Sequence, residues 1–506
     1  MKLGYADKDI ESAIIADKGK GVSDVEIGKR YGITYRKLEK IIRKATGVSV
    51  SVLKAHKNIR TLSPKDFNEE TTTVWSFKSR GNWATHSGEY RGNWSPYIPR
   101  NVILKYSEPG EIVLDYFCGA GTTAVEAKLL GRRCVAFDIN DKAIELAKQN
   151  VGFEIPAQES IFNKIYEPEL FTGDARDLSF LKEDSIDLIC AHPPYADIIH
   201  YTEQKESDLS HLEIEDFLRE MKKVAEESYR VLKPGRQCAI LIGDMRRHKH
   251  VVPLGFRLIN IYLDAGFKLK ELVIKRQHNC KTTGFWYTNS IKFNFLLLAH
   301  EYLSIFEKPS ASMPLVKDEI IQYGLIEPYV KAFRLGKKLE ELESATVWIF
   351  RENNLERLLN KNVIDRYSGE MGYKIVDIGP ASGDSPVFTH KRKMKDLIFV
   401  KSSFLDKEEH TEQDVASYIE QLRDVLEKEL PLVAKGGSCV VETKDVRIDG
   451  YVEPLAKHIV DSVCRPDLSL REIIVVTTES QKDKPIEGKM GLRISHGYLI
   501  VYKKNI

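Results

Sequence analysis

The chain lacks most of what would tie it to export or to a membrane. Seven cysteines are scattered through 506 residues with no Cys-x-x-Cys pair, which argues against a disulfide framework or a zinc site. No apolar run approaches the roughly 20 residues that a bilayer-spanning helix needs; the longest largely apolar stretch is Phe293 to Ala299. The amino terminus, Met1-Lys-Leu-Gly-Tyr-Ala-Asp-Lys-Asp9, is polar and has no signal-peptide core. A large excess of either charge is lacking too. The balance is only +2, so any nucleic-acid surface must be a local patch. These absences lead us to expect a soluble cytoplasmic protein with reduced thiols.

What the chain does have is enough apolar residue, 42%, to build real cores over a length that suits two or three domains. The informative stretch is Val113-Leu-Asp-Tyr-Phe-Cys-Gly-Ala-Gly-Thr-Thr-Ala-Val-Glu-Ala-Lys-Leu-Leu-Gly131. Ile112 to Leu114 read as a buried strand, Gly119 and Gly121 as a tight turn, and Thr122 to Leu130 as a helix. A second strand, Cys134 to Phe137, ends on Asp138. A strand, a glycine turn, a helix and a strand closing on an acid form the unit that binds a nucleoside at the carboxyl edge of a parallel sheet. The glycines admit close backbone approach, and Asp138 suits a ribose diol. The third glycine of dinucleotide sites is missing, and Asp115 before the turn would repel a pyrophosphate. It suits a ligand with an amino group, such as S-adenosylmethionine.

The same residues resemble the amino-methylating DNA methyltransferases, cytosine-N4 and adenine-N6. Their cofactor loop commonly runs Asp-Pro-Phe-x-Gly-x-Gly-Thr-Thr, against Asp115-Tyr-Phe-Cys-Gly-Ala-Gly-Thr-Thr123 here. Trp94-Ser-Pro-Tyr-Ile-Pro-Arg100 resembles the segment that closes over the cofactor, and Ala191-His-Pro-Pro-Tyr195 the catalytic tetrapeptide. The resemblance implies a Rossmann-like α/β sheet and S-adenosylmethionine held by Ser95, Pro96, Asp115, Phe117, Gly119, Gly121, Thr122, Asp138 and Asp174. It also implies chemistry at His192, Pro193, Pro194 and Tyr195. His192 replaces the usual Asp, Asn or Ser, and a neutral imidazole can still accept one hydrogen bond. Carbon-5 methylation would need a thiol after a proline, and no Pro-Cys occurs.

Ahead of this domain, Ile10, Ala13, Ile14 and Ile15 fall at helical spacing. Ser23 and Glu26 form a capping box for a second helix, Gly32-Ile-Thr34 is a turn, and Tyr35 to Lys44 a third helix with Leu38, Ile41 and Ile42 inward. Arg36, Lys37, Lys40, Arg43 and Lys44 cluster on that last helix, the pattern of a helix-turn-helix reading DNA. A small helical bundle with a solvated basic face is the plainer alternative. Residues 73–94 carry three tryptophans without a period of 2 or 3.6, as a functional loop beside a cofactor would. Gly243 to His250 (with Arg246 and Arg247) and Lys275 to Tyr287 (with Lys275 and Arg276) read as basic loops able to meet phosphates and unstacked bases.

The last third repeats the middle at a separation of about 200 residues. Lys395-Asp-Leu-Ile-Phe399 parallels Ile186-Asp-Leu-Ile-Cys190, Val433-Ala-Lys-Gly-Gly437 parallels Val231-Leu-Lys-Pro-Gly235, Glu453-Pro-Leu455 parallels Val252-Pro-Leu254, and Gly497 to Val501 parallels Phe293 to Leu297. Lys401-Ser-Ser-Phe404 replaces the tetrapeptide, and Asp377 to Gly383 is a poor glycine loop. We expect a helix-turn-helix domain (1–48), a linker (49–66), a catalytic domain (67–305) and a degenerate methyltransferase-like half (306–506) that is structural or grips DNA. Expected partners are S-adenosylmethionine, double-stranded DNA and a restriction endonuclease or defence-system protein, with no metal and no membrane. Two other readings stay open: an RNA or tRNA amino-methyltransferase, and a DNA-binding regulator with a vestigial methylase body.

Overall fold

A computed structural model describes residues 7–19, 22, 24–34, 37–38, 41–42, 45, 59–86, 90, 92–156, 164–195, 208–278, 284–310, 342–378, 393–402, 409–463, 465–479 and 491–505. The chain forms two compact units, drawn differently from the expected segments. One holds 1–69, 79–240 and 308–311; the other holds 70–78, 241–307 and 312–506. Among the described residues no helix is long and apolar enough to cross a membrane.

The first unit opens with helices Asp7–Gly19 and Asp24–Tyr31, and residues 37, 38, 41, 42 and 45 are helical as well. Ile14, Ile27, Leu38, Ile41 and Ile42 bury one another in a separate small core. Thr34 caps the last of these turns, its hydroxyl accepting from the Lys37 amide at 3.3 Å. Ser23, the expected cap of the second helix, lies outside the described residues.

The body of this unit is five parallel strands in the order Leu232–Ile242, Ile186–Ala191, Ile112–Asp115, Arg133–Asp138, Glu169–Thr172. Central strands are buried on both faces and so read as apolar runs; all six residues of Ile186–Ala191 are buried. Helix Ile214–Val231 turns Phe217, Leu218, Met221, Val224, Ala225, Ser228 and Val231 inward, the stripe expected of a helix lying on a sheet. Leu232-Lys-Pro-Gly235 is part of strand Leu232–Ile242. There the register jumps from Ile186↔Leu232 to Leu188↔Gln237 around Gly235 at φ +76°. Asp174 lies two residues past the end of strand Glu169–Thr172.

The second unit contains an internal pseudo-twofold. Its six-stranded sheet runs Val347–Phe350, Leu468–Thr478, His496–Lys504, Val433–Thr443, Lys395–Ser402, Tyr373–Ile378. Val347–Phe350 pairs parallel with Leu468–Thr478, which pairs antiparallel with His496–Lys504. The same pattern joins Val74–Trp75, Lys268–Arg276 and His300–Glu307. Even the bulge recurs: Lys395↔Val433 jumps to Leu397↔Ser438 around Gly436 at φ +73°. Among the described residues nothing in this half corresponds to the strands that end on Asp138 and precede Asp174.

The basic segment 243–250 is a hairpin rather than a loop, Met245–Arg247 paired with His250–Val252. Its copy pairs Val446–Ile448 with Tyr451–Glu453 through Asp449-Gly450, both at positive φ, as a tight two-residue turn requires. Lys275 and Arg276 end strand Lys268–Arg276, and Gly284 to Tyr287 begin helix Gly284–Phe293, so that segment is not one loop either. Gly497 to Val501 belongs to strand His496–Lys504, whose counterpart is His300–Glu307. The expected match to Phe293–Leu297 is off by eight residues, since Gly497 corresponds to Glu301, because both stretches are simply apolar.

Candidate active site

Strand Ile112–Asp115 leads out to one side of the sheet, and the chain then crosses back to Ile186–Ala191 beside it, with Leu114 opposite Ile189. Loops leaving these two neighbours diverge, which opens a crevice at their carboxyl ends. A cleft enclosing about 680 Å³, part of it open to solvent, lies there. Phe117, Cys118, Gly119, Asp138, Gly173, Asp174, His192 and Pro194 line it. Sequence reasoning had named Phe117, Gly119, Asp138, Asp174, His192 and Pro194.

Not all expected cofactor residues face this space. Asp115 is 2% exposed and sits beneath the loop, its Oδ1 accepting from the Phe117 amide at 3.0 Å. Burial pushes its carboxyl up to about 7. Asp138 accepts from the amides of Gly119 and Asn140, both at 2.9 Å, which fixes the loop against the acid that lines the cleft. Gly119 has φ +48°, and a Cβ there would stand 2.9 Å from the Tyr90 ring. Gly121 has φ +79° and serves packing instead, since its Cβ would meet the Ala147 Cβ at 3.0 Å. Thr122 donates to Asn93 Oδ1, Ser95 Oγ donates to the Arg80 carbonyl at 2.8 Å, and Pro96 starts helix Tyr97–Tyr106. Asp174 is chelated by Arg176, with Nη2 at 2.6 Å from Oδ2, so an amino group would share this carboxylate with a guanidinium.

The aromatic segment does two jobs. Tyr90 and Trp94 line the cleft with Asn93. Trp83 and His86 anchor the segment to helix Thr122–Leu129: Trp83 Nε1 donates to Glu126 Oε1 at 2.7 Å, and His86 Nε2 lies 2.7 Å from the same oxygen. Arg100 takes the other oxygen at 2.9 Å. Burial opposes a charge on Glu126, yet His86 and Arg100 hold its carboxyl below the ordinary value. Trp75 instead belongs to the second unit, in strand Val74–Trp75. The loop's odd composition signalled function without saying which ring went where. Asp208, 2% exposed, also lines the cleft, and no local motif marked it.

The His192-Pro-Pro-Tyr195 segment leaves strand Ile186–Ala191 at the switch point. The His192 ring stacks on Trp94 at 5.6 Å between centroids and 18° between planes. Tyr195 stands edge-on to His192 at 5.9 Å. Pro193 is buried, and Pro194 and Tyr195 are partly exposed. The residues suit S-adenosylmethionine: flat rings of Phe117 and Tyr90 for an adenine, the Asp138 carboxylate for a diol, and surrounding acids for a cationic sulfonium.

Residues expected to meet nucleic acid fare unevenly. Lys37 is exposed, while Arg36, Lys40, Arg43 and Lys44 lie outside the described residues, as do Gly379 to Gly383 and Ser403-Phe404. Arg246 is corrected. Its Nη1 donates to the Lys249 carbonyl at 2.8 Å, its Nη2 to Leu296 at 2.9 Å, and Glu472 lies 2.5 Å away, so this guanidinium is spent inside the fold. Lys275 pairs with Glu301 at 2.6 Å. Arg247 and Arg276 are partly exposed.

A family model described as DNA methylase matches residues 6–149 and 186–377, more than half of the chain. A second, the RMKL-like methyltransferase domain, matches 102–246. The type II methyltransferase M.MthZI of Methanothermobacter thermautotrophicus is 26% identical over 238 residues, 42% of this chain and 64% of that protein. The tRNA (guanine(10)-N2)-dimethyltransferase of the same organism is 33% identical over 107 residues, 21% of this chain and 29% of that protein. The type II methyltransferase M.SmaI of Serratia marcescens is 33% identical over 88 residues, 17% and 29% of the two chains. The chain thus spans less than two thirds of the length of each of these relatives. With the first model covering both the Asp115–Thr123 loop and the His192–Tyr195 segment, the chain belongs to the DNA methylase family, whose cofactor is S-adenosylmethionine.

Proposed function

We propose that this protein methylates the exocyclic amino group of cytosine (N4) or adenine (N6) in DNA, acting on a base extruded from the stack. One observation carries the reading: cofactor-loop residues Phe117 and Gly119, the acid Asp138 and the turn residues His192 and Pro194 share a single cleft. When bound, S-adenosylmethionine supplies an electrophilic methyl group. Asp138 holds the ribose, Tyr90 and Phe117 wall the adenine, and the acids Asp138 and Asp174 favour the cationic end.

An exocyclic amino group is a poor nucleophile because its lone pair is delocalised into the ring. His192 and the Pro193 carbonyl accept its N–H hydrogens and turn the nitrogen toward tetrahedral geometry. Tyr195 holds the base by stacking. Positioning and fixed dipoles do the work. The helical amino-terminal segment, with Lys37 and the cations around it in sequence, supplies duplex contact, and the degenerate half grips the far side.

Purified protein incubated with tritiated S-adenosylmethionine and mixed genomic DNA, then digested to nucleosides, tests this. Label in N4-methylcytosine or N6-methyladenine that vanishes in Tyr195→Ala supports the reading and names the base. The likeness of one segment to a tRNA amino-methyltransferase favours RNA as the second substrate, and label on RNA but not DNA would select it.

A further inference from the structure

The Trp94–His192 stack assigns Trp94 a role that the cofactor loop and the tetrapeptide do not account for. We propose that Trp94 is a positioning residue that fixes the plane of the His192 imidazole, so that its acceptor nitrogen faces the target amino group. This rests on the amino-methylation reading above.

The need arises from the residue at position 192. Asp, Asn and Ser offer oxygen acceptors whose lone pairs span a broad arc. An imidazole accepts only through one ring nitrogen, in the plane of the ring, and the side chain's χ2 torsion is soft. A histidine therefore has the right atom but no inherent aim. Trp94 supplies it, lying nearly parallel to the ring at 5.6 Å and 18°, while Tyr195 closes the edge at 5.9 Å and 89°. Rotation about χ2 would cost the His192 ring its face-to-face contact with the indole.

Such a platform helps only if it is itself fixed, and Trp94 is held from both sides. Arg80 donates to the Asn93 and Trp94 carbonyls, each at 2.6 Å. The Asn93 side chain in turn takes the Thr122 hydroxyl, at the head of the helix that follows the cofactor loop. Trp94 is 6% exposed. The cofactor loop, the Trp94 segment and the catalytic turn are thereby one connected assembly, and the indole transmits its rigidity to the imidazole.

A double-mutant cycle under saturating S-adenosylmethionine and DNA tests the proposal. Trp94→Leu should lower kcat about 10- to 100-fold, as expected when a reacting group is misplaced by about 1 Å. Trp94→Phe, which keeps a flat ring, should recover most of it. In a His192→Asn background, whose amide oxygen needs no ring alignment, Trp94→Leu should cost less than about 3-fold. Equal losses in both backgrounds would overturn the proposal, since a merely structural tryptophan does not distinguish them. Independently of activity, histidine-labelled NMR spectra, assigned with His192→Asn, should show His192 ring protons shifted upfield, and the shift should disappear in Trp94→Leu. If that shift is present and the wild type labels neither DNA nor RNA, the methyl-transfer reading fails while the stack stands. Absence of the shift overturns the stack itself.

Discussion

Arg246 and Glu472 meet at 2.5 Å inside the second unit, and Arg447 and Glu271 meet at the same distance in the mirrored place. Each glutamate also accepts a backbone amide of the opposite repeat at 3.0 Å, Leu296 to Glu472 and Leu492 to Glu271. The two pairs cross-link the repeats across their pseudo-twofold. A cation exposed to phosphate would be solvated without a protein partner; this one has a buried partner 226 residues away.

Breaking one of these pairs leaves a buried charge uncompensated. Glu472→Gln should destabilise the protein by about 3 to 5 kcal/mol. Urea unfolding should show a lower midpoint with an unchanged slope. Unchanged stability would mean that Arg246 has another anion.

The two glycines of the cofactor loop should separate in their effects. Gly121→Ala places a methyl against Ala147 at positive φ, and should lower stability by about 1 to 3 kcal/mol. Gly119→Ala pushes on Tyr90 in the cleft and should weaken S-adenosylmethionine binding about 10-fold or more, equivalent to about 1.4 kcal/mol. Calorimetric titration and melting curves measured side by side would distinguish them, and identical behaviour would refute the division of roles.

Among the described residues, the carboxyl-terminal half has no counterpart of strand Arg133–Asp138, whose closing acid lines the cleft. Cofactor should therefore bind once per chain, and Asp138→Ala should abolish that single event. A residual second isotherm in the variant would locate a site in the carboxyl-terminal half.

The pseudo-twofold also pairs two buried relays. Thr346 lies 2.9 Å from His300, His300 3.0 Å from Tyr302, and Tyr302 donates to Asp244 at 3.3 Å. Thr73, His496 and Tyr498 repeat this at 2.8 and 2.9 Å, with Asp445 in the place of Asp244. Burial lowers His300 to about 4 and raises Asp244 to about 7. The depressed histidine contributes stability above its unfolded value near 6.5 that is lost as pH falls toward 4. The raised aspartate contributes stability below about 4 that is lost as pH rises through 7. Between about pH 4 and 7 the two oppose each other. Asp244→Asn should unmask the histidine, so that stability falls between pH 6.5 and 5 more steeply than in wild type, by up to about 1.4 kcal/mol per pH unit. Parallel pH profiles of the two proteins would contradict the relay.

Local sequence determined the parts of this protein whose physics is local. The strand, glycine turn and helix from Ile112 to Leu129 were legible because buried strands, positive-φ turns and helix starts each have short-range signatures, and so was the Pro-Pro turn after a buried strand. The repeat was legible in the Lys-Pro-Gly235 and Lys-Gly-Gly437 motifs, but one residue out of register: the bulge puts its left-handed residue at Gly235 and Gly436, so Gly436 and not Gly437 is the counterpart of Gly235. Tertiary structure alone decided which acid faces the cleft. Asp115 and Asp138 both end strands, but Asp115 is turned under the loop, where desolvation dominates and the Thr123 side chain and Phe117 amide oppose it only in part. It also decided that Arg246 is interior and that Trp94 stacks on His192, since partners far apart in sequence leave no period or spacing to read. A side chain's charge or ring is written in the sequence; the dielectric around it and the surface it meets exist only once the chain has folded.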